Sequence, residues 1–391
     1  MVDRRSVARP YGVVIGGELH LGVEPVFENG VLTRLRPHTG VPEPFVLSAP
    51  FVNAHSHFEY RGLMGRVEER DFFGWIRRLV QLKGEQTEDE VRCDAWIAAR
   101  ENRASGIALV GEHFDRPHSP AAVREFGLMG RLFAEVITFL EHETPQEKLE
   151  TVSRKAAEAT RASELPAYVN PHALYTVDEP SLRWIARQGT PLSLHLAESR
   201  EEADLFRSGT GPFAELMTSV GFPLPPIGIT PVEFAAALGL LRANAQLVHC
   251  CEVSESDIAQ IAASGASVAH CPRSNEALSC PIAPIRRMLR SGITVGLGLD
   301  SAASSGPVDM FAEMSAAMRL SHEKGEPISP EECWQIATEG GARSLGMDSW
   351  VLGEGWSGPL LEIHVSDALG VEDLIEGGSA DKVVWRNPTD L

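Results

Sequence analysis

None of the six cysteines, Cys93, Cys250, Cys251, Cys271, Cys280 and Cys333, belongs to a C-x-x-C pair, so neither a zinc ribbon nor a dithiol redox motif is supported. Buried, reduced thiols in a cytoplasmic protein are the expectation. No stretch approaches the roughly 20 apolar residues that a membrane-spanning helix needs. Positive charge is scarce: 35 Lys and Arg stand against 54 Asp and Glu, a formal net charge of −19. Such a surface repels phosphates, which argues against nucleic acid or an anionic membrane as partner. A small-molecule substrate is unaffected, since it meets only the local field of its pocket. The opening MVDRRSVARPYG contains Arg4 and Arg5 with no apolar segment behind them, so no export signal is expected. Repeats of 20–50 residues and low-complexity tracts are missing too, which disfavours solenoids and disordered arrays.

What is present is a chain of 391 residues, 43% of them hydrophobic, long enough to bury a large core. Short apolar runs alternate with longer amphipathic stretches. The runs at 51–54, 107–111, 131–136, 167–170, 191–194, 245–248, 267–269 and 294–298 read as strands. Helical patterns at 89–104, 145–162, 180–187, 231–241, 255–264 and 285–291 lie between them, with Pro180, Pro231 and Pro284 where helices would begin. About eight β-then-α units predict an α/β protein built on a (β/α)8 TIM barrel, which takes about 250 residues. Continuous apolar strands suit burial on both faces. The two ends are left over. Residues 11–47 and 352–391 are rich in Gly, Pro and β-formers, which predicts a small β-sandwich from both termini. The expected domains are therefore 1–48 with 352–391, and a hydrolase barrel over 49–351.

The polar residues fall at strand ends. The first strand ends in Asn53-Ala54-His55-Ser56-His57 and the fifth in His195-Leu196-Ala197-Glu198. The sixth ends in His249, the seventh in His270, the eighth in Asp300, the second in Glu112-His113 and the fourth in His172. Barrel active sites form at the C-terminal ends of the strands, so these side chains converge on one mouth. Residues two apart on a strand point to one side, which lets His55 and His57 reach a single ion. His195 and Asp300 would complete the set and leave a position for water. A lone histidine at a strand end is commonly a satisfied polar group. H-x-H, H-x-x-E, a further His and an Asp in this order are much harder to explain by packing.

Pro50-Phe51-Val52-Asn53-Ala54-His55-Ser56-His57 resembles the opening signature of the amidohydrolase superfamily, and Ser193-Leu194-His195-Leu196-Ala197-Glu198 resembles its fifth-strand H-x-A-E. Ala269-His270-Cys271-Pro272-Arg273-Ser274-Asn275, Gly296-Leu297-Gly298-Leu299-Asp300-Ser301 and Pro171-His172-Ala173-Leu174-Tyr175-Thr176 resemble the branch of cytosine, guanine and adenosyl-type deaminases and triazine hydrolases. The resemblance spans nearly the whole chain and implies His55, His57, His195 and Asp300 as metal ligands. It implies Glu198 as the group that protonates a substrate ring nitrogen, and His249 as the group that orients or deprotonates water. Asp300 would also hand a proton to departing ammonia. Two-metal members carry a carboxylated lysine or a glutamate at the end of the fourth strand. Here that segment reads Val169-Asn170-Pro171-His172, so one divalent ion is expected: zinc first, with iron, manganese or nickel as alternatives.

Phe58-Glu59-Tyr60 and Asp71-Phe72-Phe73-Gly74-Trp75-Ile76 look like aminodeoxyfutalosine deaminases, which release ammonia from an adenine-type base. That similarity implies substrate contacts from Glu59, His172 and His270, with Trp75 or Phe72 closing over the ligand. Phe72, Phe73 and Trp75 read equally well as an apolar helix face. Arg273 and the run Glu276–Pro281 depart from the family pattern, so the pocket wall there is expected to differ. An aminohydrolase acting on an adenine-type nucleoside is the leading reading. The alternatives are hydrolysis of an amide, guanidine, imidazolone or halogenated ring on the same scaffold, and a non-catalytic binding barrel. A homo-oligomer is expected.

Overall fold

The computed structural model describes residues 9–390. Arg4, Arg5 and the rest of the opening segment lie outside the described residues. The chain enters through β1 (Pro10–Ile15), β2 (Glu18–Leu21), β3 (Val23–Glu28), β4 (Val31–Pro37) and β5 (Glu43–Ser48). Asn29 and Gly30 join β3 to β4 with positive φ at both positions, 54° and 77°, the backbone that a two-residue hairpin of type I′ demands.

Eight almost wholly buried strands follow. β6 (Phe51–Ser56), β7 (Ile107–Phe114), β8 (Met129–Val136) and β9 (Ala167–Pro171) form one parallel sheet in that order. β10 (Leu192–Leu196), β11 (Ala245–His249), β12 (Ser267–His270) and β13 (Val295–Leu297) form a second. The sequence placed all eight within a few residues. The residues that join one sheet to the other are themselves functional candidates. At one edge the His195 amide donates to the His172 carbonyl (3.1 Å). At the other, the amides of Asp300 and His57 donate to the carbonyls of His55 (2.9 Å) and Asp300 (3.1 Å).

The strand-connecting helices include α1 (Phe72–Glu85), α2 (Glu88–Ala104), α3 (Ser119–Glu125), α4 (Pro145–Ser163), α5 (Glu179–Gln188), α6 (Arg200–Ser208), α7 (Pro212–Ser219), α8 (Pro231–Leu238), α9 (Glu255–Ser264) and α10 (Pro272–Ala277). Capping boxes open α2, α4, α8 and α9, so each helix starts where a Ser or Thr meets an acidic residue three positions on. The pattern over 231–241 stops at Leu238 because Gly239 takes a left-handed φ of 77°. α1, α3, α6, α7 and α10 were not among the helical patterns read from the sequence.

After the last barrel-type unit the chain returns to its beginning. β14 (Leu360–Ile363) pairs antiparallel with β5, and β15 (Val383–Arg386) with β14, giving a five-stranded sheet ordered β15-β14-β5-β1-β2. Trp350 secures this junction by donating its indole N–H to the Pro50 carbonyl, directly ahead of β6 (2.8 Å).

Candidate active site

β6 delivers His55, fully buried, and leads into His57, 6% exposed. β10 brings His195 opposite, its ring stacked on that of His57 at 5.4 Å. His195 Nδ1 lies 2.8 Å from the His172 carbonyl, which can only accept, so the His195 proton sits on Nδ1 and Nε2 is a bare lone pair. That Nε2 faces His57 Nε2 at 3.3 Å. Neither nitrogen of His55 has a hydrogen-bond partner among the described residues. Asp300 Oδ1 stands 3.5 Å from His55 Nε2 and 3.8 Å from His57 Nε2. Its other oxygen accepts from the hydroxyls of Ser274 (2.6 Å) and Ser304 (3.3 Å). Burial, reinforced by the neighbouring imidazoles, drives the pKa of His57 and His195 well below the ordinary value. Burial alone would raise Asp300, but His55 and Ser274 hold its carboxyl low. Neutral imidazoles around one carboxylate are the protonation states a metal ion requires.

Close packing and backbone strain set these positions. A Cβ on Gly298 would meet His55 Cβ at 2.8 Å and Cys271 Sγ at 2.9 Å, so glycine lets the end of β13 lie against the first ligand candidate. Ala197, His249, Cys250 and Asp300 all hold positive φ, between 48° and 75°, which costs non-glycine residues energy and clusters at functional sites. The bend at Ala197 turns Glu198 back over the mouth, where its Oε1 lies 3.4 Å from His249 Nε2. The Glu198 amide donates to Glu202 Oε2 at 2.9 Å. Burial first, then the charges of Asp300 and Glu202, push the Glu198 carboxyl well above its usual range. Burial pulls His249 down to about 4.

The remaining candidates are dispersed. His172 contributes its carbonyl to His195, sets its ring tilted against it at 4.7 Å, and pairs its own Nδ1 with Thr176 Oγ1 (2.9 Å). His270 is buried at the end of β12 but stands outside the ring cluster of the other histidines, its Nδ1 without a partner among the described residues. Glu59 turns its carboxylate to the amides of Asp115 (3.0 Å) and Arg116 (2.8 Å) at the end of β7, and burial lifts it to about 8. Trp75 is buried on α1 in the main core. Phe213 of α7 gathers Phe72 at 6.2 Å and Phe73 at 5.2 Å from α1, and Tyr175 at 4.6 Å from the segment after His172. A small cavity of about 20 Å³ lies beside His57 and Asp300, with Phe58, Arg61 and Val308 among its walls.

Sequence reasoning gave no role to His113, Glu135 or Tyr60. His113 is fully buried 4.4 Å from the His55 ring, and ligand-type atoms of His55, His57, His113 and His195 lie within 4.8 Å of one another. Both its nitrogens are engaged, Nδ1 with Glu135 Oε1 (3.1 Å) and Nε2 with Ser193 Oγ (2.8 Å), so in this arrangement it buttresses the ligand set. Tyr60 lies flat against His57 at 5.1 Å and accepts a hydrogen bond from Lys83 Nζ (2.6 Å). The available signal was the charged pair Glu112-His113 at the end of an otherwise apolar strand.

A family model described as the amidohydrolase family matches residues 46–354. A 5-methylthioadenosine/S-adenosylhomocysteine deaminase of Natronomonas pharaonis is 30% identical over 329 residues, 81% of this chain and 72% of the relative. An aminodeoxyfutalosine deaminase of Deinococcus radiodurans is 29% identical over 355 residues, covering 86% and 82%. Among solved structures, a zinc-bound adenosine deaminase from Xanthomonas campestris superposes with a TM-score of 0.82 at 21% identity, over 97% of this chain and 91% of that one. A triazine hydrolase variant gives 0.79 at 16% identity, covering 98% and 93%. At these identities the structural likeness is one of fold.

Proposed function

The chain belongs to the amidohydrolase family, and on that premise we propose that it is a one-metal aminohydrolase releasing ammonia from an adenine-type nucleoside. The observation that carries this reading is the buried Glu198 carboxyl, 3.4 Å from His249 Nε2 and raised in pKa by its burial, beside His55, His57, His195 and Asp300. The two parallel sheets are read as one closed eight-stranded barrel over 49–351, supported by the hydrogen bonds at both their edges. The expected terminal unit, 1–48 with 352–391, is read over its described residues 9–48 and 352–390 as a β-sandwich, supported by the shared sheet of β1, β5 and β14.

The donor set fits a divalent cation. Both nitrogens of the buried His55 are bare of protein partners, which is costly unless a cation lies beside the ring, and the bare His195 Nε2 stands 3.3 Å from His57 Nε2, within reach of the same ion. His55, His57, His195 and Asp300 would hold the ion, which supplies Lewis acidity and lowers the pKa of water toward about 7. Zinc is the first choice, in keeping with the zinc-bound structural neighbour. Asn170 supports a single ion: its amide is spent on the Ser193 backbone (2.6 and 2.7 Å), leaving no bridging carboxylate or lysine there.

Attack of water on the amino-bearing carbon drives an electron pair onto the adjacent ring nitrogen. Glu198 delivers its proton to that nitrogen. Asp300 Oδ1 receives one proton of the water and passes it to the amine, which leaves as ammonia; the remaining hydroxyl proton returns to the Glu198 carboxylate as the carbonyl forms. His172 and the aromatic group around Phe213 are assigned to the base and its sugar side. Methylthioadenosine, adenosylhomocysteine and aminodeoxyfutalosine are the substrate class that the named relatives point to. Assembly into a homo-oligomer belongs to the same proposal and is read by sedimentation. The test of function is ammonia release by zinc-loaded protein across adenine nucleosides, pyrimidine bases, guanidines and amides. Glu198→Gln should lower kcat by about two to four decades with metal content unchanged, the span typical of general acid–base groups. Turnover of amides or halogenated rings with no nucleoside deaminated would refute the assignment.

A further inference from the structure

Behind His249, on the side away from Glu198, stands a group that the scheme above leaves unused. Asn275 Nδ2 lies 2.9 Å from His249 Nδ1, and His249 Nε2 lies 3.4 Å from Glu198 Oε1, so three side chains run in series into the mouth. Asn275 is 3% exposed and fixed through its backbone: its amide donates to the Cys271 carbonyl (3.0 Å), and its carbonyl accepts from the Cys280 amide (2.9 Å). His249 is equally constrained, 1% exposed and held at a φ of 75°.

An amide NH2 can only donate, so the ring nitrogen it faces must be bare, and a neutral imidazole then carries its single proton on the other nitrogen. We propose that Asn275 is a positioning residue that keeps the His249 proton on Nε2, so that His249 acts in the reaction as a hydrogen-bond donor and not as the base. Resting on the deaminase reading, this assigns the water proton to Asp300 alone and gives His249 the task of orienting Glu198 and the incoming oxygen. It also narrows the sequence expectation, which left His249 free either to orient or to deprotonate.

The experiment is long-range 1H–15N correlation of histidine side chains in the zinc-loaded protein labelled with 15N-histidine. The His249 signals are identified by their loss in His249→Phe. The proposal requires a protonated Nε2 and a bare Nδ1 in the wild type. Asn275→Asp replaces the donor by an acceptor and should move the proton to Nδ1. Metal content and KM should hold while kcat falls by about 100-fold or more, the scale of a misdirected acid–base group. A wild-type His249 protonated on Nδ1 would overturn the proposal without any variant, as would an Asn275→Asp protein with reversed tautomer and unchanged kcat. If the wild type deaminates no adenine nucleoside yet shows the Nε2 proton, the substrate reading fails while the tautomer assignment stands.

Discussion

Asp300 divides its two oxygens between different partners: Oδ2 is saturated by Ser274 and Ser304, and Oδ1 is left to the histidines. The proposed ligand role follows from that split, and Asp300→Asn, which removes the charge but keeps the shape, should lose most bound metal by elemental analysis. A fold intact by circular dichroism is expected, since the core is elsewhere; stoichiometric retention in an Asp300/His195 double variant would contradict the ligand set. Glu313, in the helix Met310–Glu323, gives a pH prediction. Burial lifts it to about 8 despite Arg273, whose amide donates to it at 3.0 Å. A carboxyl raised on folding binds more protons in the native state than in the unfolded one, so its contribution falls as pH rises from about 4.5 to about 8. Urea denaturation at pH 6 and pH 8 should show wild type losing more stability than Glu313→Gln, by at most about 1.4 kcal/mol per pH unit. Equal losses would refute it. The proposed ligands were legible in the sequence because their spacing is periodic along strands. His113, Glu135 and Asn275 were not given roles, because hydrogen bonds between strands about 20 residues or more apart leave no local pattern.

Among the elements, α1 is the one whose sequence read least clearly and whose position matters most. Asp71 caps it by accepting from the Gly74 amide (2.7 Å), and its Lys83 fastens Tyr60 against His57. Phe72 and Phe73 meet Phe213 and, through it, Tyr175, so two connecting segments close on a third through one ring. Phe213→Ala should destabilise the protein by about 3 kcal/mol, the low end for a buried phenylalanine, and raise KM more than it lowers kcat. A fall in kcat alone would mean that the ring serves chemistry and not the wall. The strands were legible because burial on both faces makes them continuous apolar runs. α1 escaped because Phe72-Phe73-Gly74-Trp75 fits a ligand cover as well as a helix face, and the structure uses it as a helix.

At the scale of the molecule, the last strands complete what the first ones begin. β14 lies between β5 and β15, and Trp385 donates its indole N–H to the Arg103 carbonyl at the end of α2 (2.6 Å), with the Arg103 guanidinium 3.4 Å above its ring. A chain stopped at residue 351 would expose Leu361's partners and the edge of β5 immediately before β6, so aggregation during expression is expected. A soluble truncated protein that binds metal would show the terminal sheet to be dispensable. Composition foretold a β-rich pairing of the two ends, but not which strand of one end meets which of the other.

The central claim is deamination, and oxygen-18 water tests it most directly. Zinc-loaded protein is incubated with methylthioadenosine, adenosylhomocysteine or aminodeoxyfutalosine in labelled water, and ammonia and product mass are followed together. The account predicts, for at least one of these, one ammonia per turnover and one solvent oxygen on the carbon that lost the amine, with both signals suppressed in Glu198→Gln. Intact adenine bases in all three after prolonged incubation with metal-replete enzyme would contradict it.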